Sequence, residues 1–319
     1  MKFDMTTFGE TMIRISVRAG QTFANCSETD LHIGGTESNT AAALSRLGMR
    51  TAWVSRLTDN ALGRRIAGDL ARHGVDTSGV IWTPNDRVGV YYVLFATLPR
   101  AVTVLYDRRN SAVSKLRSDE LNWNHLLSSR LLHLTGITPA LSPGCRKAVA
   151  EAIKKARTKK VPVCFDVNYR AKLWKPDKAA QTIAPLLQDT TLAIMTREDA
   201  ATVFGFGKDP EEAVRRIRKE LHPRIAVLTM GKEGALAWDG RTMTHECGRP
   251  VREVIDRVGA GDAFAAGLIF GFLKRDLGLG LKYGMFMSSM KMGMRGDMFW
   301  ATREDVEDAI QSRSREVQR

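Results

Sequence analysis

Apolar runs of strand length alternate along most of this chain with segments whose apolar positions recur every three or four residues. That alternation permits few folds: it calls for a mostly parallel sheet whose crossovers are helices, with helices on both faces. Strand-like runs fall at residues 52–55, 131–134, 161–166, 192–195 and 225–229. Between them, residues 62–72, 144–157 and 210–221 have the helical period. In the first of these, Leu62, Ile66 and Leu70 recur every four residues while Arg64, Arg65 and Arg72 turn to water. Pro176 and Pro210 stand where a first helical turn accepts proline. Residues 10–33 and 87–108 break the pattern. Both read as β-hairpin material, the second as Val88-Gly-Val-Tyr-Tyr-Val-Leu-Phe followed by Val102-Thr-Val-Leu-Tyr. Strands without an intervening helix imply a small sheet set apart, either an ordinary edge hairpin or a lid that keeps water from a reaction. With no linker or internal repeat in sight, residues 1–319 are expected to form one α/β domain carrying that β lid.

The 48 Lys+Arg exceed the 35 Asp+Glu by 13. These basic residues are dispersed, many on helix faces such as Arg215, Arg216, Arg218 and Lys219, and no basic block interleaves with aromatics. The excess therefore favours anionic small substrates over nucleic acid. No stretch approaches the roughly 18 uninterrupted apolar residues of a membrane span, and the N-terminus has no signal-peptide pattern. A cytoplasmic location with no membrane partner is expected. Cys26, Cys145, Cys164 and Cys247 are scattered without a C-x-x-C pair, as suits a reducing compartment.

Chemistry concentrates at Gly259-Ala260-Gly261-Asp262, the small-residue opening of a helix that continues through Phe264, Leu268 and Phe272. Such a terminus offers backbone N–H groups and the positive end of the helix dipole to an anion. A carboxylate beside an anion is repelled by it, which makes Asp262 useful only if it accepts a proton from an attacking hydroxyl. Acidic capping of an ordinary helix would use the same four residues.

Asp256-Arg-Val-Gly-Ala-Gly-Asp262 resembles the C-terminal signature of the ribokinase (PfkB) family of carbohydrate kinases. Gly34-Gly-Thr-Glu-Ser-Asn-Thr-Ala-Ala-Ala-Leu-Ser-Arg-Leu-Gly48 resembles its N-terminal signature. Within the family the chain is most similar to 2-keto-3-deoxygluconate kinases, on Asp166-Val-Asn-Tyr-Arg-Ala-Lys-Leu-Trp174, Leu134-Thr-Gly-Ile-Thr-Pro-Ala-Leu141 and Tyr106-Asp-Arg-Arg109. The resemblance implies a ribokinase-like fold, ATP with magnesium as cofactor, and a sugar acid as substrate. It also implies roles. Asp262 would be the base, and the amides of Gly259, Ala260 and Gly261 the anion hole. Gly34, Gly35, Thr36, Glu37 and Ser38 would line the sugar site, with Tyr91, Tyr106 and Arg108 reaching in from the lid and Asp297 at the substrate end. Asn168, Tyr169 and Arg170 would lie between substrate and phosphates, while Thr229, Gly231, Lys232 and Gly234 would meet the nucleotide. Asp199 would hold magnesium through a water, although Thr196 stands where the family often has an asparagine.

Some of these residues admit a plainer use. Arg108 and Arg170 suit a carboxylate, since the guanidinium fork matches it; the plainer use is as solvated strand-end arginines. Tyr91 and Tyr106 alternate with apolar neighbours as they would in a packed sheet, and Lys232 sits in a glycine turn. A neutral-sugar kinase of the same family, such as a fructokinase or ribokinase, and a non-catalytic sugar or nucleotide sensor are the competing functions. A dinucleotide dehydrogenase is disfavoured because no G-x-G-x-x-G follows the first strand. A lid with open edges favours a homo-oligomer.

Overall fold

The computed structural model describes residues 1–18, 20–95, 102–207 and 209–311. Parts of the expected hairpins at Ala19 and residues 96–101, and of the expected domain at Lys208 and residues 312–319, lie outside the described residues. In chain order the strands are β1 (Met5–Phe8), β2 (Met12–Ser16), β3 (Asp30–Gly34), β4 (Thr51–Val54), β5 (Arg56–Thr58), β6 (Val75–Asp76), β7 (Ile81–Thr83) and β8 (Val90–Leu94). They continue as β9 (Thr103–Asp107), β10 (Leu132–Thr135), β11 (Val163–Asp166), β12 (Leu192–Thr196), β13 (Ile225–Thr229), β14 (Ala235–Trp238) and β15 (Met243–Glu246). Each of the five strand-like runs is present, its ends shifted by no more than two residues. The helical segments become Ala61–Arg72, Pro143–Thr158 and Pro210–Leu221.

Side chains alternate across a strand, and here that alternation divides the core in two. Cys164, Ile194 and Val227 face one layer with the helices Thr36–Arg46, Ala61–Arg72, Ala260–Leu273 and Leu277–Met292. Their neighbours Val163, Phe165, Ala193, Met195, Ala226 and Leu228 face the other layer, with Pro143–Thr158, Pro176–Leu187 and Pro210–Leu221. Burial on both faces is why these strands read as continuous apolar runs. The main sheet has the order β15-β14-β13-β12-β11-β10-β1-β4-β6. Neighbours are parallel from β13 to β6, and β14 and β15 are antiparallel.

The two hairpins form a second sheet, order β3-β2-β8-β9. Pairing is antiparallel within each hairpin and parallel between them, with Arg14 opposite Tyr91. The main-sheet strands β1, β10, β11, β12 and β13 end at Phe8, Thr135, Asp166, Thr196 and Thr229, and four of the loops beyond these ends open on one cleft. In parallel α/β sheets such carboxyl ends are where ligands bind.

One helix contact needs glycine. A Cβ on Gly271 would collide with the backbone of Gly280, and one on Gly267 with that of Gly284, so the 260–273 and 277–292 helices touch main chain to main chain. Gly271→Val should therefore destabilise the fold by about 1–3 kcal/mol, the usual range for overpacking. Gly68→Ala, on an exposed helical position with open space around the added carbon, should be neutral or stabilising by about 0.5–1 kcal/mol. Urea denaturation of the two variants checks this, and equal midpoints would refute the close contact.

Candidate active site

The loops beyond the strand ends and the inner face of the small sheet enclose a cleft of about 400 Å³. Its wall includes Gly34, Gly35, Thr36 and Glu37 at the start of the 36–46 helix, and Tyr91, Tyr106 and Arg108 from the small sheet. Asp166 ends β11 with Asn168 and Arg170 just beyond it, Asp199 lies past β12, Thr229 ends β13, and Gly259, Gly261, Asp262 and Asp297 complete it. Residues far apart in sequence thus meet as the signatures require.

At the centre is Asp262, buried in the first turn of the 260–273 helix. Its Oδ2 accepts a hydrogen bond from Asn39 Nδ2 at 2.6 Å, which fixes the carboxyl against the 36–46 helix. Burial raises its pKa to about 7. The Asn39 bond and the Arg170 charge oppose that rise, whereas the charges of Asp297 and Glu37 add to it. Burial raises Asp166 to about 7 as well, against the hydrogen bonds it accepts from the Asn168 N–H and side-chain amide, both at 3.1 Å. Both groups thus change charge near neutrality, as a proton acceptor working there must.

The turn ahead of Asp262 is shaped for an anion. Gly259 has φ +88°, and a Cβ there would strike the Asp297 carbonyl. Gly261 faces open space, so a phosphate-sized group has room beside its N–H. Ala260 is different: its N–H donates to the Arg257 carbonyl at 3.2 Å and it does not line the cleft, because it closes the turn. Behind Gly259 lies Lys291, fully buried, donating to the Met294 carbonyl at 3.1 Å and the Asp256 carbonyl at 3.4 Å.

A buried ion cluster supports this floor. Arg14 reaches Asp256 at 2.7 Å and Asp297 at 2.6 Å, while the Tyr91 hydroxyl donates to the other Asp297 oxygen at 2.6 Å. Tyr91 is also stacked on Tyr106, with ring centroids 6.0 Å apart. Gly34 leaves room for this group, since a Cβ there would overlap both the Tyr91 hydroxyl and the Asp297 carboxyl. Arg108 is no solvated arginine: its Nε donates to Glu10 Oε2 at 2.7 Å, and Ser111 donates to the other Glu10 oxygen. Arg170 is exposed, its recorded hydrogen bond going to the Tyr169 carbonyl at 3.1 Å. Glu37 is buried with Oε1 accepting from Thr135 and Thr138 at 2.7 and 2.6 Å, and burial raises its pKa.

Several expected residues lie elsewhere. Ser38 is buried beneath the cleft, accepting from Thr11 at 2.6 Å and donating to the Gly35 carbonyl at 2.9 Å. Gly231, Lys232 and Gly234 form a short helical turn after β13, outside the residues lining the cleft. Gly234, at φ +107°, packs on the backbone of residues 246–248, and the exposed Lys232 points to no recorded partner in the site. Thr196 serves as a helix cap, its hydroxyl accepting from the Asp199 N–H at 2.9 Å. Arg14, Asn39, Glu10 and Lys291 had no assigned role in the sequence. Of these, only Asn39 falls within a quoted signature, that of residues 34–48. Among the described residues, no group of three or more His, Cys, Asp or Glu side chains is spaced to hold a metal ion. Asp199 lies close enough to Asp166 to raise its proton affinity, and the two carboxyls are a set that fits a magnesium carrying its own waters.

A family model described as pfkB family carbohydrate kinase matches residues 2–290. The chain is 33% identical over 313 residues to a 2-dehydro-3-deoxygalactonokinase of Haloferax volcanii, with 97% of each covered. It is 30% identical over 298 residues to a 2-dehydro-3-deoxygluconokinase of Thermoproteus tenax, covering 92% of this chain and 89% of the relative. The crystal structure of a 2-dehydro-3-deoxygluconokinase from Thermotoga maritima superposes with a TM-score of 0.92 at 27% identity, covering 98% of this chain and 99% of that one.

The raised pKa of Asp262 has a consequence for stability. A carboxyl that binds its proton more tightly folded than unfolded loses stability as pH rises from its ordinary value near 3.8 to about 7, and the loss is complete above that. Asp262→Asn cannot ionise. Its stability relative to wild type should be nearly constant below pH 4 and improve by about 1–3 kcal/mol between pH 4 and pH 8. Urea unfolding at the two pH values measures the difference; a pH-independent difference would show that Asp262 is an ordinary carboxylate.

Proposed function

The chain belongs to the pfkB family of carbohydrate kinases, and we propose that within it the protein transfers the γ-phosphoryl group of ATP to a hydroxyl of 2-keto-3-deoxygluconate or a close keto-deoxy sugar acid. The observation that carries this reading is Asp262, held by Asn39 beside the open Gly261 turn and poised to change charge near neutrality. In the reaction the substrate hydroxyl lies between Asp262 and the turn. Its oxygen forms the new bond to phosphorus as the bond to the nucleotide breaks, and its proton passes to Asp262. Asn39 keeps the accepting oxygen in place. The free N–H groups of the turn and the helix dipole stabilise the transferring group. Asp199 and Asp166 would hold, through water, a magnesium whose positive charge would offset that of the phosphates. Thr229 and Thr196, at the strand ends, border the nucleotide side.

The small sheet presents Arg108 to the cleft and the loop after β11 presents Arg170, and a guanidinium discriminates for a carboxylate that neutral sugars lack. Relatives named for the galactonate and the gluconate acids both cover nearly the whole chain, so the class of keto-deoxy acid is better supported than the configuration of its hydroxyls. The exposed Leu105 on the open edge strand β9 offers a second copy a place to pair. The four free thiols suit the cytoplasm.

Two measurements test the reading. Asp262→Asn should lower kcat by about 10²–10⁴-fold, the scale of a lost general base, with ATP affinity retained because a negative charge beside the phosphates has been removed. Near-normal turnover in the folded variant would end the assignment of the base. For the substrate, kcat/KM with the keto-deoxy gluconate should exceed that with fructose or ribose by at least about 10–150-fold, the value of one charge-assisted bond. Arg108→Met and Arg170→Met should shrink that margin. A wild-type preference for fructose or ribose would establish a neutral-sugar kinase instead, and turnover of no sugar at all a sensor.

A further inference from the structure

Three arginines line the cleft: Arg108, Arg170 and Arg257. They share it with Glu10, Glu37, Asp166, Asp199, Asp262 and Asp297. Such a wall repels a phosphate unless cations answer it. Arg108 is already paired with Glu10. Arg170 is engaged with the Tyr169 carbonyl, and its charge acts on Asp262, Asp166 and Asp199. Arg257 is the exception. Its side chain is exposed, lines the cleft beside Gly259 and Gly261, and has no ion pair or hydrogen bond recorded among the described residues.

Its anchorage is the opposite of loose. The preceding Asp256 is buried and accepts from the Val258 N–H at 3.0 Å and the Gly296 N–H at 3.1 Å, besides its bond to Arg14 at 2.7 Å. The Arg257 carbonyl accepts from Ala260 N–H at 3.2 Å. The main chain at 257 is thus fixed against the anion-binding turn while the guanidinium above it is unpaired. A fixed stem with an uncommitted, planar, two-pronged cation suits an anion that is present only for part of a cycle.

We infer that Arg257 is a catalytic residue that closes on the non-bridging oxygens of the phosphoryl group during its transfer. The inference rests on the phosphoryl-transfer reading of this cleft. It adds no chemical step: the bond from phosphorus to the nucleotide oxygen breaks, the bond to the substrate oxygen forms, and the hydroxyl proton goes to Asp262. Arg257 neutralises the charge on the three oxygens that change neither partner, which is greatest midway through transfer. The turn amides hold the group from one side and the guanidinium from the solvent side.

The test uses Arg257→Gln and Arg257→Lys, with whichever sugar the wild type phosphorylates. A wrong substrate assignment then fails in the wild-type panel, and a wrong role for Arg257 fails only in the variants. Because the side chain is exposed, both should fold as wild type does. Arg257→Gln should lower kcat about 10²–10³-fold, the scale of one lost stabilising donor, with KM for the sugar little changed, and Arg257→Lys should recover part of the loss. Titration calorimetry supplies a readout that does not depend on turnover. ADP alone should bind Arg257→Gln as it binds wild type, whereas ADP with aluminium fluoride and the sugar, a planar mimic of the group in transit, should lose at least about tenfold in affinity, the equivalent of roughly 1.4 kcal/mol. Unchanged kcat would overturn the inference. So would equal weakening of both nucleotide complexes, which would make Arg257 a ground-state nucleotide contact, or a loss confined to the sugar KM, which would make it a substrate-carboxylate contact.

Discussion

A single buried guanidinium ties the small sheet to the turn that carries Gly259 and Gly261. Arg14 lies on β2 of the small sheet, almost fully removed from solvent, and divides its two terminal nitrogens between Asp256 and Asp297. Removing one partner from such a group would leave an uncompensated buried charge at a cost of about 3–5 kcal/mol, so the three residues hold together or not at all. Asp256 begins the turn that leads to Gly259. Asp297 lies in the return after the 277–292 helix, and its carbonyl sits where a Cβ on residue 259 would be. Tyr91, opposite Arg14 in the register of β2 and β8, closes the same carboxylate. The small sheet is therefore joined to the chemical centre by charge and hydrogen bonds rather than by apolar packing alone. Its position over the cleft follows from that.

The cleft itself gathers carboxylates where an anion must bind, and the arrangement divides them by environment. Glu10 is neutralised by Arg108 and Asp297 by Arg14. Glu37, Asp166 and Asp262 are buried without a full cationic partner, and burial raises all three pKa values. Carboxyls of the second kind can be neutral when an anion approaches and can still take up a proton from a reacting hydroxyl. Asp262 and Glu37 each lie in the first turn of a helix, where the dipole favours the ionised form. At Asp262 burial raises the proton affinity while the Asn39 bond and the Arg170 charge lower it, and the balance falls near neutrality.

How much of this was legible in the sequence follows from the range of each interaction. The strands and helices are local: apolar runs at 192–195 and 225–229, or the four-residue recurrence of Leu62, Ile66 and Leu70, mark them because each element buries its own face, although in this helix Ile66 and Leu70 are buried and Leu62 is exposed. The pairing of two hairpins into one sheet was legible because no helix separates their strands. Asp262 and the glycine turn were legible through a contiguous signature. Arg14 was not, because its partner lies 283 positions away and nothing near it in the chain is unusual. Asn39 is 223 positions from Asp262 and looked like one more small polar residue in a helix. Gly231, Lys232 and Gly234, which the resemblance assigns to the nucleotide, stand outside the residues lining the cleft, and Gly234 meets the backbone of residues 246–248. Thr196 looked like a lost ligand until its hydroxyl was seen to cap the helix that carries Asp199.

The Glu10–Arg108 pair changes how an acid substrate would be recognised. A carboxylate arriving at a free guanidinium gains the whole of a charge-assisted bond. At Arg108 it meets one whose Nε and one terminal nitrogen are already given to Glu10, so it gains only the difference between sharing the fork and leaving Glu10 undisturbed. Arg170 is less committed: it is exposed, and its guanidinium is bonded to a single backbone carbonyl rather than to a carboxylate. Discrimination between acid and neutral sugars should then rest more on Arg170, while Arg108 positions Glu10 and the β9 end of the small sheet. The same pairing keeps the partly buried Arg108 from standing without a partner when the cleft is empty. An arginine that must stay ordered without substrate needs an internal partner, and one that must deliver its full charge to substrate must do without.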